Sequence, residues 1–398
     1  MFIKNGFEGV EVIVKNILFV VDERRMGGVS ILLEDILNKF DYSKYNVDIL
    51  VLHNSGTRLN NLPKNVNIIY GTRYFDAVDL TIGEVLRSKN LSLIFKKVRL
   101  VMEMKTGLIK KRIIKERKKI IKKEYDVEIA FKDGFTALFV GFGNCKNKIH
   151  WLQYNYSIAN PNAKYDKLFK EVLPRFNKII AVSKGVMDDF NKIYHLENLT
   201  RVISNYVDTA KIKKLSKNNK SKNKNIEFIS VGRLHPMKGY DRLIEAVIRL
   251  KKDNLLNNVS FKIYGDGPIK DDLNNKIIEG KVDNCFKLMG YTDNPYQYIC
   301  NSDMFILSSV CETFGIVIVE AMTLGIPVLA TSNSATGELI KSGYNGLIVD
   351  NSTDGLYNGL KKVITNKDII DTYKNNLKDY DYDKENERIL KQIYKLFR

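Results

Sequence analysis

Residues 304–331 read MFILSSVCETFGIVIVEAMTLGIPVLAT, and this segment indicates the fold class most clearly. Two short apolar runs, MFILSS and PVLAT, enclose a segment with helical character from about Phe314 to Leu324. A strand, a helix and a second strand at this spacing require a right-handed crossover between two parallel strands. The stretch therefore predicts an α/β fold built on a parallel sheet.

The same alternation of short apolar runs and longer helical segments extends over most of the chain. In the first half the strand-like runs are NILFVV, VDILVL, VNIIYG, VEIAFK, KIHWLQY and KIIAVS. In the second half they are IEFISVG, VSFKIYG, CFKLMGY, MFILSS, PVLAT and NGLIVD. A polar stretch at 211–225, KIKKLSKNNKSKNKN, is interpreted as a connector or an exposed hairpin between two doubly wound domains.

Length and composition agree with this division. A chain of 398 residues with 44% apolar residues is too long for one ordinary core and suits two globular domains. We place the first domain at 1–207 and the second at 208–380. We expect the terminal helix, 381–398, to return to the first domain.

Cysteine usage and hydropathy exclude several classes of protein. The four cysteines form no Cys-x-x-Cys pair and there are only four histidines, which argues against a disulfide framework or a structural zinc site. No apolar run reaches the roughly 18 residues that cross a bilayer, and residues 1–14 resemble a secretory signal poorly. We therefore expect a cytoplasmic protein.

The segment 304–331 contains two carboxylates that are candidates for ligand binding. Glu312 precedes the predicted helix and Glu320 lies eight positions later, which is about 12 Å along a helix. The two side chains could hold the two ends of one elongated ligand. Taken alone, the pattern is equally typical of a helix cap at Glu312 and a surface residue at Glu320.

Two upstream loops add cations and glycines. VGRLHPMKGYDRLIEA places Arg233 and Lys238 between a strand and a helix, where two cations and free backbone amides can bind a diphosphate. YGDGP at 264–268 follows another strand, and Gly265 and Gly267 permit close backbone approach to a ring. Each loop alone would also suit a solvated basic loop or a plain turn.

Together these segments resemble the retaining glycosyltransferases of family 4, which have the GT-B architecture. The matching segments follow the family's order and spacing over nearly all of 226–350: VGRLHPMKG, YGDGP, Gly290–Tyr291, ETFGIVIVEAM, GELI and NGLIV. AVSKGV at 181–186 and NYVD at 205–208 match segments that flank the family's domain junction. The resemblance implies two Rossmann-like domains facing each other across a cleft that takes a nucleotide sugar.

The resemblance also implies a role for each matching residue. Arg233 and Lys238 would bind the donor diphosphate, and Glu312 would contact the hydroxyls of the donor sugar. Glu320 would bind the ribose, and the segment around Tyr291 would hold the base. The other positions assigned to the donor are Thr313, Phe314, Gly315 and Gly265, with Gly27 and Gly28 as the glycine loop of the first domain.

One position departs from the family. Relatives carry a histidine near the reacting sugar, whereas KIHWLQY has Gln153 at the matching place and His150 three residues earlier. An offset of three puts the two side chains on opposite faces of a strand, so Gln153 is the preferred catalytic candidate. Asp133, in AFKDGF, resembles a residue of the acceptor-side loop.

The reaction that the resemblance implies is transfer of a hexose or an N-acetylhexosamine with retention, with UDP as the expected carrier. The acceptor would be a cell-envelope, lipid-linked or polysaccharide molecule. In same-face attack the leaving phosphate takes the acceptor proton, so neither a metal nor another cofactor is expected. DYDYD at 379–383 mimics a metal-binding Asp-x-Asp motif but lies in the polar tail and is assigned no metal.

The formal net charge of +18 is concentrated in one segment. Residues 96–123 hold 13 Lys or Arg against Glu103 and Glu116, and the pattern predicts a basic amphipathic helix that docks on an anionic membrane surface. The alternative is a helix that packs its apolar residues on the first domain. Those apolar residues are Leu108, Ile109, Ile113, Ile114, Ile120 and Ile121.

Three alternative functions stay open at this point. The first is a transferase for a soluble or protein acceptor, and the second is a non-catalytic partner subunit with the same fold. The third is a basic nucleic-acid-binding protein, which the isoelectric point of 9.4 suggests although the chain shows no recognisable nucleic-acid-binding motif.

Overall fold

The computed structural model describes residues 14–23, 28–53, 62–78, 80–156, 158, 165–216, 225–366 and 368–398. Within these ranges the chain forms two sheets whose strands all pair in parallel. Helices follow most of the strands, so the predicted α/β class is confirmed. Of the amino-terminal stretch 1–14, which resembles a secretory signal poorly, residues 1–13 lie outside the described residues.

The first sheet, as far as it is described, has seven strands in the order β3-β2-β1-β4-β5-β6-β7. The strands are β1 (Lys15–Glu23), β2 (Tyr45–His53), β3 (Val66–Tyr70), β4 (Val127–Ala130), β5 (Asn147–Leu152), β6 (Lys178–Ala181) and β7 (Thr200–Val202). The helices are α1 (Gly28–Leu37), α2 (Ile82–Arg87), α3 (Leu91–Thr106), α4 (Ile109–Ile120), α5 (Phe135–Gly141), α6 (Asp166–Val172) and α7 (Lys184–Tyr194). Residues Ile17 to Val20 of β1 are fully buried, as a continuous apolar run covered on both faces requires.

The second sheet has, among the described residues, six strands in the order β10-β9-β8-β11-β12-β13. The strands are β8 (Ile226–Val231), β9 (Val259–Tyr264), β10 (Phe286–Gly290), β11 (Met304–Leu307), β12 (Val328–Thr331) and β13 (Gly346–Val349). The helices are α8 (Thr209–Leu215), α9 (Tyr240–Lys252), α10 (Lys270–Glu279), α11 (Tyr296–Ile299), α12 (Ile316–Thr323), α13 (Thr336–Leu339), α14 (Thr353–Thr365), α15 (Asp368–Asn376) and α16 (Asp383–Leu396). The strand order reverses between β8 and β11, which defines the switch point of the sheet.

The segment interpreted as a connector or hairpin begins as a helix instead. Residues 211–215 belong to α8, whose first turn is capped by the Asp208 side chain accepting from the amide of Lys211 at 3.0 Å. Ile212 is buried, and α8 packs against α11 and α12. One buried isoleucine among lysines gives no readable period, so tertiary packing rather than pattern decides this helix. Residues 217–224 lie outside the described part.

The last helix, α16, lies on the first domain. Ile389 and Phe397 are buried in the same apolar core as β1. The ring of Tyr394 stacks on Tyr45 with 5.5 Å between ring centroids. The strand β1 and the helix α16 therefore share one core, and α16 couples the second domain back to the first.

Asn386 connects α16 to Val207, in the segment between the domains, through two hydrogen bonds. Its side chain accepts from the amide of Val207 at 3.1 Å and donates to the carbonyl of Val207 at 2.8 Å. Replacing Asn386 with alanine leaves the buried amide of Val207 unpaired, whereas the carbonyl keeps its hydrogen bond from the amide of Thr209, so the cost is on the order of 1–3 kcal/mol. We expect Asn386→Ala to lower the melting temperature clearly, whereas Asn375→Ala, at an exposed position, changes it little. Equal melting temperatures for the two variants would contradict this role.

Candidate active site

The loops after β8 and β11 meet at the switch point of the second sheet. Ser308 Oγ donates to the carbonyl of Lys238 at 2.7 Å, and the amide of Val310 donates to the carbonyl of Met237 at 2.9 Å. Loops at the carboxyl ends of strands that flank such a reversal enclose the usual ligand crevice of doubly wound sheets. The topology thereby joins two loops that are distant in sequence.

Lys238 and Glu312 form an ion pair in this crevice. The distance from Lys238 Nζ to Glu312 Oε1 is 2.6 Å, and Ser309 Oγ donates to the same oxygen at 2.6 Å. The two side chains are 28% and 12% exposed, so both charges are partly withdrawn from water. Such a pair can exchange its mutual contact for the phosphate oxygens and hydroxyls of a ligand. Two of the predicted site residues therefore lie in direct contact.

Two glycines shape the backbone around the pair. Gly265 has φ of 154°, and a Cβ there would lie 1.9 Å from the carbonyl oxygen of Gly232, so the loop after β9 lies against the loop that carries Arg233. Gly315 has φ of 85° and precedes α12. The first amides of α12 have no acceptor within the helix and present partial positive charge three residues beyond Glu312.

Arg233 and Tyr291 follow strands of the same half of the second sheet, β8 and β10. Arg233 is exposed, and within the described chain no hydrogen bond or ion pair engages its guanidinium. Tyr291 is 71% exposed, and its hydrogen bond with Asp293 raises its pKa. Both side chains are accessible to a ligand. Their assignment to a diphosphate and a base stays a prediction.

The Glu320 side chain, on α12, lies close to α1 of the first domain and to α8 at the start of the second domain. Tyr296 OH donates to Glu320 Oε1 at 3.0 Å, and Lys211 Nζ forms an ion pair with Asp35 at 3.2 Å. All four side chains line one small cavity between α1, α8 and α12. Burial raises the pKa of Glu320 to about 7, and the negative charge of Asp35 adds to this effect. Glu320 is therefore not the solvated surface residue that the sequence also allowed.

The raised pKa of Glu320 makes stability depend on pH. Between its ordinary value of 4.5 and about 7, the folded protein binds more protons than the unfolded chain, so stability falls as the pH rises through this window. We expect Glu320→Gln to remove this slope and to stabilise the ligand-free protein above pH 7, by on the order of 1–3 kcal/mol. Thermal unfolding across this pH range tests the prediction. Glu279→Gln, at an exposed position on α10, is the matched control, and an unchanged slope in Glu320→Gln would contradict it.

Asp133 organises the loop after β5 that carries Gln153. Its carboxylate accepts from the amide of Gln153 at 2.6 Å and from the hydroxyl of Tyr156. The Gln153 side chain is half-buried, and its Nε2 has no hydrogen-bond partner among the described residues. Gln153 thus retains a free donor, whereas the Asp133 carboxylate is already occupied. This use of Asp133 favours positioning of the loop over direct binding of an acceptor.

His150 is enclosed in the first domain. It is fully buried, and burial lowers its pKa, so the ring is neutral. Its Nδ1 lies 3.4 Å from the carbonyl oxygen of Ala130, and its Nε2 lies 3.8 Å from Asp133 Oδ1. Whether Gln153 or His150 acts near the reacting sugar stays a prediction.

The glycine loop of the first domain is described only in part. Gly27 lies outside the described residues, and Gly28 is the first residue of α1. Near the same edge of the sheet, at the ends of β1 and β4, Lys132 Nζ and Asp22 Oδ2 form an ion pair at 2.7 Å. The role predicted for Gly27 and Gly28 stays a prediction.

The two domains touch directly beside Glu312. Ser183 Oγ, at the amino end of α7, donates to the carbonyl of Thr313 at 2.6 Å. Glu338 Oε1 accepts from the amide of Lys184 at 2.9 Å. At Gly185 a Cβ would lie 2.2 Å from the side chain of Ser334 in the second domain, so only glycine allows this approach. The segment that carries Glu312 is therefore held by both domains.

Phe314 contributes to this contact through its ring. It is buried and packs, with Val319 of α12, in the apolar cluster that contains the core of the first domain. The Phe314 ring therefore holds the domains together, and its predicted contact with the donor stays a prediction.

The structure adds residues that the sequence did not single out. Ser309 supplies a second hydrogen bond to Glu312, and Asn155 Nδ2 donates to Ser334 Oγ across the domain boundary at 3.2 Å. The only signal for Ser309 was its position three residues before Glu312. The contact between Asn155 and Ser334 depends on how the domains dock, which no local pattern encodes.

Acidic residues of the tail have structural partners. The Asp383 carboxylate accepts from the hydroxyl of Thr209, and the amide of Asp383 donates to Asp381 Oδ1 at 2.9 Å. Among the described residues, no three or more His, Cys, Asp or Glu side chains form a group that could hold a metal ion.

No helix in the described part of the chain has both the length and the apolar character needed to cross a membrane.

Residues 211–383 match the family model described as glycosyl transferases group 1. The second domain belongs to this family. Two solved structures have a fold similar to that of this chain: Alr3699/HepE from Anabaena in complex with UDP and glucose, and TarM. HepE has a TM-score of 0.67 at 19% identity, covering 96% of this chain and 100% of that one. TarM has a TM-score of 0.71 at 17% identity, covering 96% and 99%. The expected GT-B arrangement of two parallel-sheet α/β domains is confirmed.

Among curated relatives, a Campylobacter jejuni protein is 29% identical over 228 residues, which are 56% of this chain and 60% of the relative. It is named N-acetylgalactosamine-N,N'-diacetylbacillosaminyl-diphospho-undecaprenol 4-alpha-N-acetylgalactosaminyltransferase. An Escherichia coli protein named UDP-Gal:alpha-D-GlcNAc-diphosphoundecaprenol alpha-1,3-galactosyltransferase is 29% identical over 142 residues, or 35% and 37% of the two chains. This chain spans about half the length of the curated relatives that it matches.

Proposed function

We propose that the protein is a retaining glycosyltransferase that moves a hexose or an N-acetylhexosamine from a UDP-sugar to a lipid-linked or polysaccharide acceptor of the cell envelope. The observation that carries the proposal is the ion pair between Lys238 and Glu312 at the switch point, beside the amino end of α12. A cation, a carboxylate and free amides at this place match the diphosphate and sugar of one nucleotide sugar.

In the proposed reaction the acceptor oxygen attacks the anomeric carbon from the face that the diphosphate leaves. The bond between the anomeric carbon and the diphosphate oxygen breaks, and the leaving phosphate takes the acceptor proton. Lys238, Arg233 and the first amides of α12 stabilise the charge on the departing diphosphate. Glu312 orients the sugar through its hydroxyls, and Gln153 donates a hydrogen bond from the first domain.

Names of relatives support the donor and the acceptor class. The Escherichia coli relative is named for UDP-Gal, and both curated relatives are named for diphospho-undecaprenol-linked acceptors and α linkages. A retaining enzyme forms an α linkage from a sugar that is α-linked in its donor. These names therefore favour a UDP-sugar donor, a lipid-linked acceptor and retention for this chain.

A panel experiment tests the proposal. The purified protein is incubated with UDP-glucose, UDP-galactose and their N-acetylated forms, with and without an undecaprenyl-diphosphate-linked sugar, and the products are followed by NMR. We expect release of UDP, a product with the anomeric configuration of the donor, and a rate that EDTA leaves unchanged. An inverted product would contradict retention. No turnover of any nucleotide sugar with any acceptor would contradict the enzymatic proposal.

A further inference from the structure

An apolar stripe is exposed along α3 of the first domain. Leu91, Phe95, Val98 and Met102 are between 53% and 81% exposed. Their spacing of four, three and four residues places them on one face of the helix. Leu100, on the other side, is buried in the core. Large apolar side chains exposed in a row are characteristic of a contact surface rather than of ordinary solvent-facing helices.

The preceding helix, α2, also exposes large apolar side chains. Ile82 and Leu86 are more than half exposed and lie four residues apart on one helix face. A capping box between Thr81 and Glu84 fixes the start of α2, and α2 packs against α3. Two adjacent helices therefore present six large apolar side chains to the outside.

All exposed charges on α3 and α4 are positive. The only acidic residues of 91–123 are Glu103 and Glu116, and both are buried. Arg112 lies 3.2 Å from Glu103 and 3.6 Å from Glu116, which neutralises them within the domain. Lys105 lies on the same face of α3 as Met102 and is exposed. Lys105 thus borders the apolar stripe of α3, while α2 contributes one exposed carboxylate, Glu84, which caps its own helix together with Thr81.

In α4, the pattern of buried and exposed residues differs from the predicted basic amphipathic helix that docks on a membrane. Ile109 and Ile113 are buried in the domain, as the alternative interpretation of the basic segment expected. On the outer face, Lys111, Lys115 and Lys118 are exposed at a spacing of four and three and form no ion pair with residues that the structure describes. The cationic face of the segment lies on α4, whereas the exposed apolar face lies on α2 and α3.

We propose that α2, α3 and α4 form a docking surface for an anionic lipid bilayer. The apolar stripe enters the boundary between headgroups and acyl chains, while the lysines contact lipid phosphates. The negatively charged cytoplasmic leaflet is the expected surface. This role goes beyond the transfer reaction and does not depend on which sugar or acceptor is used.

Charge and apolarity together select the bilayer over other occupants. A symmetric second copy would bring the same cationic surface against itself, which costs electrostatic energy. A nucleic acid would match the lysines but would leave Phe95 and Met102 without an apolar partner. An anionic bilayer satisfies both parts of the surface.

Vesicle binding of the full chain tests the proposal. Co-sedimentation is measured with phosphatidylcholine vesicles and with vesicles that also contain phosphatidylglycerol. We expect binding only to the anionic vesicles, and weakening by about tenfold or more for Phe95→Ser/Met102→Ser and for Lys111→Gln/Lys115→Gln/Lys118→Gln. Matched controls are Ile278→Ser, an exposed isoleucine on α10, and Lys252→Gln/Lys287→Gln/Lys384→Gln, three exposed lysines elsewhere. The controls are expected to bind like the wild type.

Four outcomes would overturn the proposal. These are absence of wild-type binding to anionic vesicles, equal weakening by the control lysine variant, unchanged binding of Phe95→Ser/Met102→Ser, and a solution dimer that this variant dissociates. Melting temperatures of all variants establish that the exposed substitutions leave the fold intact. Because no sugar is present in the assay, failure here is distinguishable from failure of the proposed transfer activity.

Discussion

Replacement of Glu312 by glutamine is expected to lower kcat/KM for the nucleotide sugar by about 10²- to 10³-fold. The substitution keeps the shape of the side chain but removes the negative charge that pairs with Lys238 and that orients sugar hydroxyls. The measurement is the initial rate of UDP release with the best donor of the panel.

Ser309→Ala is a milder substitution at the same site, and its activity is compared with that of Glu312→Gln. It removes one hydrogen bond to the Glu312 carboxylate and leaves the charge in place, so a loss of only about three- to tenfold is expected. If Glu312→Gln were as active as Ser309→Ala, the carboxylate would have no role in the reaction. Equal melting temperatures of wild type and both variants would attribute the rate changes to the site.

The second large effect is expected at Lys238. Lys238→Met should weaken UDP binding by about 10- to 100-fold, because a charge-assisted contact to the diphosphate is lost. Binding of UMP should change much less, because UMP lacks the second phosphate. Titration calorimetry with UDP and UMP measures both affinities, and Lys252→Met, at an exposed position at the end of α9, is the control. Equal losses for UDP and UMP would contradict a diphosphate contact.

Substitutions at Lys238 and Glu312 are also expected to have non-additive effects on the melting temperature. Lys238→Met leaves the Glu312 carboxylate, which is only 12% exposed, without its cation. The double variant Lys238→Met/Glu312→Gln should therefore recover much of the melting temperature that Lys238→Met loses, while activity stays low. Additive losses of melting temperature would show that the ion pair contributes little to the ligand-free protein.

Strand pattern predicted the two sheets well because their central strands are buried on both faces and appear as unbroken apolar runs, as Ile17 to Val20 do. The helix α8 was missed because its single buried anchor, Ile212, stands among lysines. Helix periodicity also failed to say which apolar residues of the basic segment are covered. Ile113 packs inward, whereas Leu108 is exposed, and only the tertiary contacts of α3 and α4 distinguish them.

At the candidate site, the resemblance to the family predicted that Lys238 and Glu312 bind one nucleotide sugar, whereas the loop positions alone also suited a solvated basic loop and a helix cap. The strands that precede Lys238 and Glu312, β8 and β11, are adjacent only because the sheet order reverses there. The sequence did not predict that Glu320 and Lys211 share a cavity with Asp35, because Asp35 belongs to the other domain. The same reason explains why the bond from Ser183 to the segment after Glu312 was missed.

The measurement that most directly tests the central claim is a crystal structure of the protein with bound UDP. We expect the diphosphate between the loops after β8 and β11, with an oxygen within hydrogen-bonding distance of Lys238 Nζ and another at the first amides of α12. UDP bound elsewhere on the chain, with Lys238 still paired to Glu312, would contradict the assignment of this crevice as the donor site.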